Sequence, residues 1–192
     1  MRATFHLFTA GVLLALGVPC AAAQHPQTRQ GFWIGFGFGG GSARFSCNGC
    51  TDTTLTAATG HVKLGGTVRP NLLIGGELNA WTKNQNSETL TIGNVSAIVQ
   101  YYPAVASGFF LKGGVGFASI SDKNTGATAT GNGFGYIVGL GYDFRVARNF
   151  SLTPIANLYY GGIGELTTAG STTSGLGWKQ SVFELGLDFM FH

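Results

Sequence analysis

The stretch Phe134-Gly-Tyr-Ile-Val-Gly-Leu-Gly-Tyr-Asp-Phe-Arg145 decides the fold, because bulky and small side chains alternate along it. Successive side chains of a β-strand point to opposite faces, so this period of two predicts a strand whose faces meet different surroundings. The bulky face carries Phe134, Tyr136, Val138, Leu140, Tyr142 and Phe144. The other face carries Gly135, Gly139, Gly141, Asp143 and Arg145. The bulky face suits lipid, and the glycine face suits a crowded interior.

The same alternation recurs along the chain and predicts eight strands. Besides residues 134–145, they cover about residues 31–45, 56–68, 72–83, 89–102, 109–121, 150–160 and 177–191. Short turns are expected after the second, fourth and sixth strands. Longer polar loops are expected after the other strands, including residues 84–88, 122–132 and 161–175. Pro154 falls inside the seventh strand, where proline cannot donate to a β-ladder, so a bulge is expected there.

The composition places these strands in a membrane. Charged residues make up 10% of the chain, against about 25% in ordinary soluble domains. There are 32 glycines and 15 phenylalanines, yet no apolar stretch after residue 24 is long enough for a spanning helix. Only helices and closed barrels satisfy every backbone group in lipid. The fold class is therefore predicted to be all-β, an eight-stranded antiparallel transmembrane β-barrel. A soluble lipocalin-like barrel would place its apolar residues inside.

The N-terminus has the pattern of a cleavable signal peptide. Arg2 supplies the positive charge, residues 5–18 form the apolar region, and residues 21–23 are three alanines before Gln24. Cys20 raises a lipoprotein alternative, against which Pro19 argues. The predicted organisation is a signal peptide over residues 1–23, a short periplasmic segment over 24–30 and an outer-membrane barrel domain over 31–192. With no peptidoglycan-binding module after the barrel, any function is expected in the barrel wall or its outer loops.

The C-terminal stretch Glu184-Leu-Gly-Leu-Asp-Phe-Met-Phe191 matches the assembly signal of outer-membrane proteins. A polar residue is followed two positions later by glycine and then by aromatic residues two apart; the matching residues are Glu184, Gly186, Phe189 and Phe191. His192, after the terminal aromatic residue, departs from the pattern. The chain resembles the small Gram-negative outer-membrane barrels that include opacity proteins and the OmpA transmembrane domain. The resemblance implies residence in the bacterial outer membrane, among its lipids and lipopolysaccharide, and recognition by the barrel-assembly machinery.

Seven charged side chains should point into the barrel: Lys63, Glu77, Lys112, Asp143, Arg145, Glu184 and Asp188. Charges in a narrow, poorly hydrated interior have to be paired. Two interpretations remain open. A polar network that fills an eight-stranded barrel is favoured, because such an interior is just wide enough for side chains. A gated or selective pore is the alternative.

Two cysteines, Cys47 and Cys50, lie three residues apart in the first outer loop. In an exported protein this spacing favours a local disulfide. A zinc site would need two further ligands, and a redox site would need a thioredoxin-like context. Gly35 to Gly40 fits G-x-G-x-x-G, but no helix follows, so these glycines are interpreted as close packing. Aromatic girdles are expected at both membrane surfaces, with Trp33 in one and Phe45 and Trp178 in the other.

An enzymatic role has little to support it. Lipid A-modifying barrels need a histidine beside a serine and a carboxylate. After processing only His25, His61 and His192 remain, and His61 alone faces the interior. No catalytic residue, metal site or cofactor is therefore predicted. The formal net charge of +3 is too small and scattered to suggest nucleic acid.

The leading hypothesis is a monomeric, non-enzymatic outer-membrane protein, structural or exposed at the cell surface, whose loops contact a host or environmental ligand of unknown identity. The alternative is a narrow porin for small solutes. A lipid A-modifying enzyme is the weakest of the three. The sequence names no ligand, so the surface-interaction hypothesis rests on the family resemblance.

Overall fold

The computed structural model describes residues 26–85, 88–123, 128–168 and 171–192, and the predicted signal peptide lies outside them. These residues form nine strands, which are β1 (Phe32–Ser46), β2 (Thr53–Arg69), β3 (Leu72–Gln85), β4 (Glu88–Tyr101), β5 (Phe109–Lys123), β6 (Thr128–Tyr142), β7 (Phe144–Ala147), β8 (Phe150–Thr168) and β9 (Ser171–Phe191). The described residues include no helix of the length and apolarity that a membrane span requires.

The strands close into a barrel in which every pairing is antiparallel. Each strand from β1 to β6 pairs with the next, β6 and β7 both pair with β8, and β8 pairs with β9. Closure is completed by β1 and β9, which pair from Ile34 with Phe191 to Ser46 with Lys179. Strands β6 and β7 pair with successive parts of β8 and therefore occupy one position in the barrel. The nine strands thus fill eight strand positions. The predicted eight-stranded antiparallel barrel is confirmed.

The interruption between β6 and β7 lies opposite Pro154. The β6–β8 pairing ends at Gly141 with Ile155, and the β7–β8 pairing resumes at Phe144 with Leu152. Proline has no N–H to donate, so the ladder has a gap at this point. On its other side Pro154 pairs with Leu187 without a register shift. The bulge expected at Pro154 is therefore wrong, and the irregularity falls on the neighbouring strand.

The strands extend beyond their predicted ends where the sequence is rich in glycine and threonine. Residues 161–175 were expected to be a loop, but β8 runs to Thr168 and β9 begins at Ser171. Likewise, most of the expected loop at 122–132 lies in β5 and β6. Cross-strand pairing continues through these segments, for example between Thr167 and Thr172. Threonine fits the pleated surface of a strand, so the polarity of these segments was not sufficient evidence for a loop.

The two ends of the barrel differ in polarity. We call the end that holds residues 26–31 and His192 the terminal end, and the opposite end, with the hairpins β1–β2, β3–β4, β5–β6 and β8–β9, the loop end. In the half next to the terminal end, the outward face is apolar and exposed: Phe38 is 62% exposed and Phe117 is 74% exposed. The same face of every long strand contributes to this apolar band, as predicted.

Towards the loop end the polarity is reversed. Hydroxyl side chains occupy the outward positions above the apolar band, at Ser42, Thr54, Thr56, Thr91, Ser119, Ser121, Thr128, Thr130 and Ser181. The interior at the same level is apolar and includes the buried Phe45, Trp81, Ile92, Ile120, Ile163 and Val182. This arrangement is the one expected of a barrel in water. We infer that only the terminal half is built to face lipid.

The structure corrects part of the predicted aromatic girdles at both ends of the barrel. Trp33 is 1% exposed and Phe45 is 6% exposed, and both point into the barrel. Trp178 is half-buried and packs on Phe45, with 5.8 Å between ring centroids. At the level of Phe45 and Trp178 an aromatic ring on the outside would face water, so the interior is the more favourable place for it.

Candidate functional site: the buried charge network and the loop-end cavity

The glycines of β1 leave room for the charged groups of the neighbouring strands. Gly37 pairs with His61 on β2 and with Asp188 on β9. A Cβ atom on Gly37 would lie 2.8 Å from His61 Cε1 and would also crowd the Asp188 carboxylate. Gly35 leaves similar space for the Lys63 side chain. Small residues on β1 therefore allow side chains from β2 and β9 to meet inside the barrel.

Asp188 and Glu184 on β9 form the first cluster. The Lys63 ammonium forms an ion pair with Asp188, and His61 Nε2 contacts the same carboxylate. His61 Nδ1 lies 3.4 Å from Glu184 Oε1. The Tyr159 hydroxyl donates to Glu184, as does the Asn157 amide at 2.8 Å. His61 thus lies between two carboxylates, a role that the sequence did not assign to it.

A second cluster joins Lys112 on β5 to Glu77 on β3. The Lys112 ammonium lies 2.9 Å from Glu77 Oε1 and 2.7 Å from Glu77 Oε2. The Tyr159 hydroxyl lies 3.4 Å from Glu77 Oε1 while also contacting Glu184. Tyr159 therefore links the two clusters across the barrel.

Asp143 is the centre of a third cluster near the terminal end. Its carboxylate accepts hydrogen bonds from Tyr102, at 2.9 Å, and from Thr153, at 2.8 Å. Burial, together with the nearby Asp143 carboxylate, raises the pKa of Tyr102 well above its usual range, so the phenol remains a neutral donor. The Arg29 guanidinium lies 3.5 Å from the centroid of the Tyr102 ring and its Nε is 3.8 Å from Asp143 Oδ2.

Residues 26–30 occupy the terminal end of the barrel. Arg29 is 1% exposed and donates to the carbonyls of Val105, at 3.0 Å, and Ser107, at 2.7 Å. Arg145 donates to the carbonyl of Thr28 at 2.8 Å. Within the described residues Arg145 forms no ion pair with a carboxylate, and its two terminal nitrogens donate to backbone carbonyls instead. The sequence did not indicate Arg29, because it precedes the first strand and has no alternating pattern around it.

The interior network balances its charges and is sealed from solvent. It combines four cationic and four carboxylate side chains, which are Arg29, Lys63, Lys112, Arg145, Glu77, Asp143, Glu184 and Asp188. The side chains in its three ion pairs, and those in the two contacts of His61 with Asp188 and Glu184, have an exposed fraction of 0%. Solvent therefore does not reach these groups, which together fill the cross-section of the barrel.

A cavity of about 230 Å³ opens at the loop end, above this network. Its apolar lining comes from Phe45, Leu55, Leu90, Ile120 and Trp178, and its remaining lining residues are Ser46, Cys47, Cys50, Thr51, Thr53 and Asp122. The structure places Cys47 and Cys50 in a disulfide, with 5.3 Å between Cα atoms. The disulfide therefore forms part of the cavity wall. We call this cavity the loop-end cup.

The residues of the predicted assembly signal lie at the seam that closes the barrel. Phe189 stacks on Phe36 with 5.5 Å between centroids, and Phe191 lies 5.0 Å from Phe150. Gly186 pairs with Gly39 across the seam, and Glu184 belongs to the interior network. The outward aromatic residues and the inward polar residue thus have separate surroundings. Among the described residues no group of three or more His, Cys, Asp or Glu is arranged to hold a metal ion.

Comparison with known proteins agrees with this architecture. The model of the outer membrane protein beta-barrel domain family matches residues 10–191. The chain belongs to this family. It is therefore a transmembrane β-barrel of the bacterial outer membrane. No curated protein sequence matches the chain.

Three solved structures illustrate the shared fold. Neisserial surface protein A is 14% identical with a TM-score of 0.54, and the match covers 83% of this chain and 96% of that one. Ail, the attachment invasion locus protein of Yersinia pestis, is 13% identical with a TM-score of 0.52, covering 84% and 99%. OprG from Pseudomonas aeruginosa is 15% identical with a TM-score of 0.51, covering 88% and 100%. At these identities the likeness concerns the fold alone.

Proposed function

We propose that this outer-membrane protein is a closed, non-enzymatic and monomeric barrel that conducts no solutes and exposes its loop end at the cell surface. The observation that supports the closed state is the complete burial of the ion-paired side chains across the barrel. A water-filled channel would hydrate at least some of them. Separating such a pair would leave a charge uncompensated, which is costly in a poorly hydrated interior.

Burial also argues against catalysis at His61. Its contacts with Asp188 and Glu184 look like those of a catalytic histidine oriented by a carboxylate. However, its side chain has an exposed fraction of 0%, so a lipid substrate has no access to it. In the described part of the chain its polar contacts are carboxylates and not a serine hydroxyl. His61 and the two carboxylates are therefore part of the packed interior of the barrel.

A planar bilayer experiment tests the closed state. We expect no conductance steps in molar KCl, because the paired charges fill the lumen. A porin inserted under the same conditions serves as the positive control. Insertion of a folded barrel is checked by electrophoresis before and after boiling, since folded barrels migrate anomalously. Conductance steps from the folded protein, changed in size by Lys112→Met, would establish the narrow porin instead.

The orientation follows from the two ends. Outer-membrane barrels place both termini in the periplasm and carry an outward apolar band about 25 Å tall. In this chain the band lies next to the terminal end, and the hydroxyl-rich hairpins extend beyond it. We therefore place residues 26–30 and the assembly signal on the periplasmic side, where the barrel-assembly machinery would meet them. The loop end would face lipopolysaccharide and the exterior.

Cysteine labelling on intact cells tests this orientation. Thr172, near the β8–β9 tip, and Asn149, in a turn at the terminal end, are both exposed. Within the described residues, the Cys47–Cys50 disulfide leaves no free thiol to compete. An impermeant maleimide should label Thr172→Cys on intact cells at least tenfold more than Asn149→Cys. Permeabilised cells should label both variants equally. Preferential labelling of Asn149→Cys on intact cells would contradict the proposed orientation.

A further inference from the structure

The reversed polarity of the loop half produces an apolar surface that nothing in the described structure covers. Leu55 and Leu90 are only partly buried, although both point into the loop-end cup. Leaving apolar surface in contact with water costs about 25 cal/mol per Å². A ligand that covers these side chains would recover this free energy.

The base of the cup is a rigid aromatic surface. Phe45 packs edge-on against Trp81, with centroids 6.1 Å apart, and in a tilted arrangement against Trp178, with centroids 5.8 Å apart. The Trp81 indole is held in turn by a hydrogen bond to the Gly41 carbonyl at 2.9 Å. Fixed rings lose little conformational freedom when a ligand packs on them, so the surface is preorganised.

The volume sets the size of the ligand. An engineered cavity of about 150 Å³ lined by apolar side chains binds benzene. The cup, at about 230 Å³, is larger than that cavity but smaller than two such cavities together. One aromatic ring with a short substituent fits within this volume, which is too small to enclose a long acyl chain.

The charge on the lining determines which sign of charge the ligand should carry. Asp122 is the charged side chain among the described residues that line the cup, and none of those residues is Lys or Arg. Arg44, nearby on β1, is already paired with Asp52 at 2.7 Å. An ammonium group at the rim would be attracted by the Asp122 carboxylate, and an anion would be repelled. Because Asp122 is exposed, the selectivity should be modest.

We propose that the loop-end cup binds small single-ring aromatic amines, with the ring against Phe45, Leu55 and Trp178 and the ammonium group beside Asp122. This inference depends on the cup alone and holds whichever side of the membrane the loop end faces. The hydroxyls of Ser46, Thr51 and Thr53 line the same rim and offer further acceptors for the ammonium protons.

Methyl NMR of the protein in lipid nanodiscs tests the proposal, with phenethylamine as the probe. The methyl signals of Leu55, Leu90 and Ile120 should shift and saturate as the amine is added. Those of Leu73 and Ile98, buried in the terminal half, should not move. Phenylacetate, which has the same ring and the opposite charge, should bind at least fivefold more weakly. Narrowing the cup with Leu90→Trp should weaken amine binding at least tenfold.

Two carboxylate variants separate the charge effect from folding. Asp122→Asn should bring the amine and the anion to within about twofold of each other. Glu165→Gln removes another exposed carboxylate that is outside the lining, and it should retain the fivefold preference. Linear, non-saturating shifts that are as large at the lipid-facing Leu111 and Leu185 would mean partition into the bilayer and would overturn the proposal. Equal binding of both probes to the unmodified protein would overturn the assignment of Asp122.

Discussion

Replacing Asp188 by asparagine is expected to lower the free energy of unfolding of the barrel by about 3–5 kcal/mol, the usual cost of removing one partner from a buried ion pair. Asp188 forms an ion pair with Lys63 and contacts His61, and all three side chains have an exposed fraction of 0%. Asparagine keeps the size of the side chain but removes its charge. The Lys63 ammonium would then be buried with none of the described carboxylates in contact.

Urea unfolding in lipid vesicles, followed by tryptophan fluorescence, measures this change. Asp52→Asn is the matched control, because Asp52 also pairs with a cation but its side chain is 48% exposed. An exposed ion pair contributes at most about 1 kcal/mol, so the control should remain close to the unmodified protein. If both variants lost the same free energy, Asp188 would not belong to a sealed network. If Asp188→Asn lost none, Lys63 would have to be hydrated in the folded protein.

The period of two in the sequence was enough to predict which strand positions face inward. Lys112 on β5 and Glu77 on β3 were both predicted to face the interior, and the structure places them there in contact. The pairing itself was not predictable. Which inward residues meet depends on the register between strands and on their tilt, and neither is encoded in the alternation of one strand.

The contribution of residues outside the alternating strands was missed for a related reason. Arg29 lies before β1, and its contacts are with Asp143 and with the carbonyls of Val105 and Ser107, more than 70 positions away in the chain. A lone arginine in an irregular segment has no periodic pattern that would place it inside a barrel. Its burial depends on the space left at the terminal end, which is a property of the closed barrel.

The predicted aromatic girdles show where a rule of composition misleads although the alternating pattern does not. Alternation along β1 places Trp33 and Phe45 on the same face as Gly35 and Gly37, so the inward direction of both rings was present in the sequence. They were assigned to girdles because aromatic residues are enriched at membrane surfaces. The pattern identifies the two faces of a strand, but the side that is apolar depends on whether that level lies in lipid or in water. The loop-end cup is a consequence of this change of surroundings.

The inward glycines provide the second large expected effect. Gly116 on β5 pairs with Ser96 and faces the interior. A Cβ atom there would collide with the carbonyl oxygen of Val95 and lie 2.6 Å from Ser96 Cα. Both are backbone atoms and cannot rotate away, so β4 and β5 would have to separate. Overpacking costs about 1–3 kcal/mol, and we expect Gly116→Ala to reach the upper end of that range because no side chain can yield.

The control for this substitution lies on the same strand. Gly113 pairs with Val99, shares the outward face with Leu111 and Val115, and has no atom within 4 Å of the position of an added Cβ. Gly113→Ala should therefore be neutral or raise stability by about 0.4–1 kcal/mol, because alanine restricts the unfolded chain without strain in the folded one. The same urea titration measures both variants. An opposite sign at two glycines three residues apart would show that the inward glycines are required by close packing of the strands. Equal effects would show that close packing of the strands does not require the inward glycines.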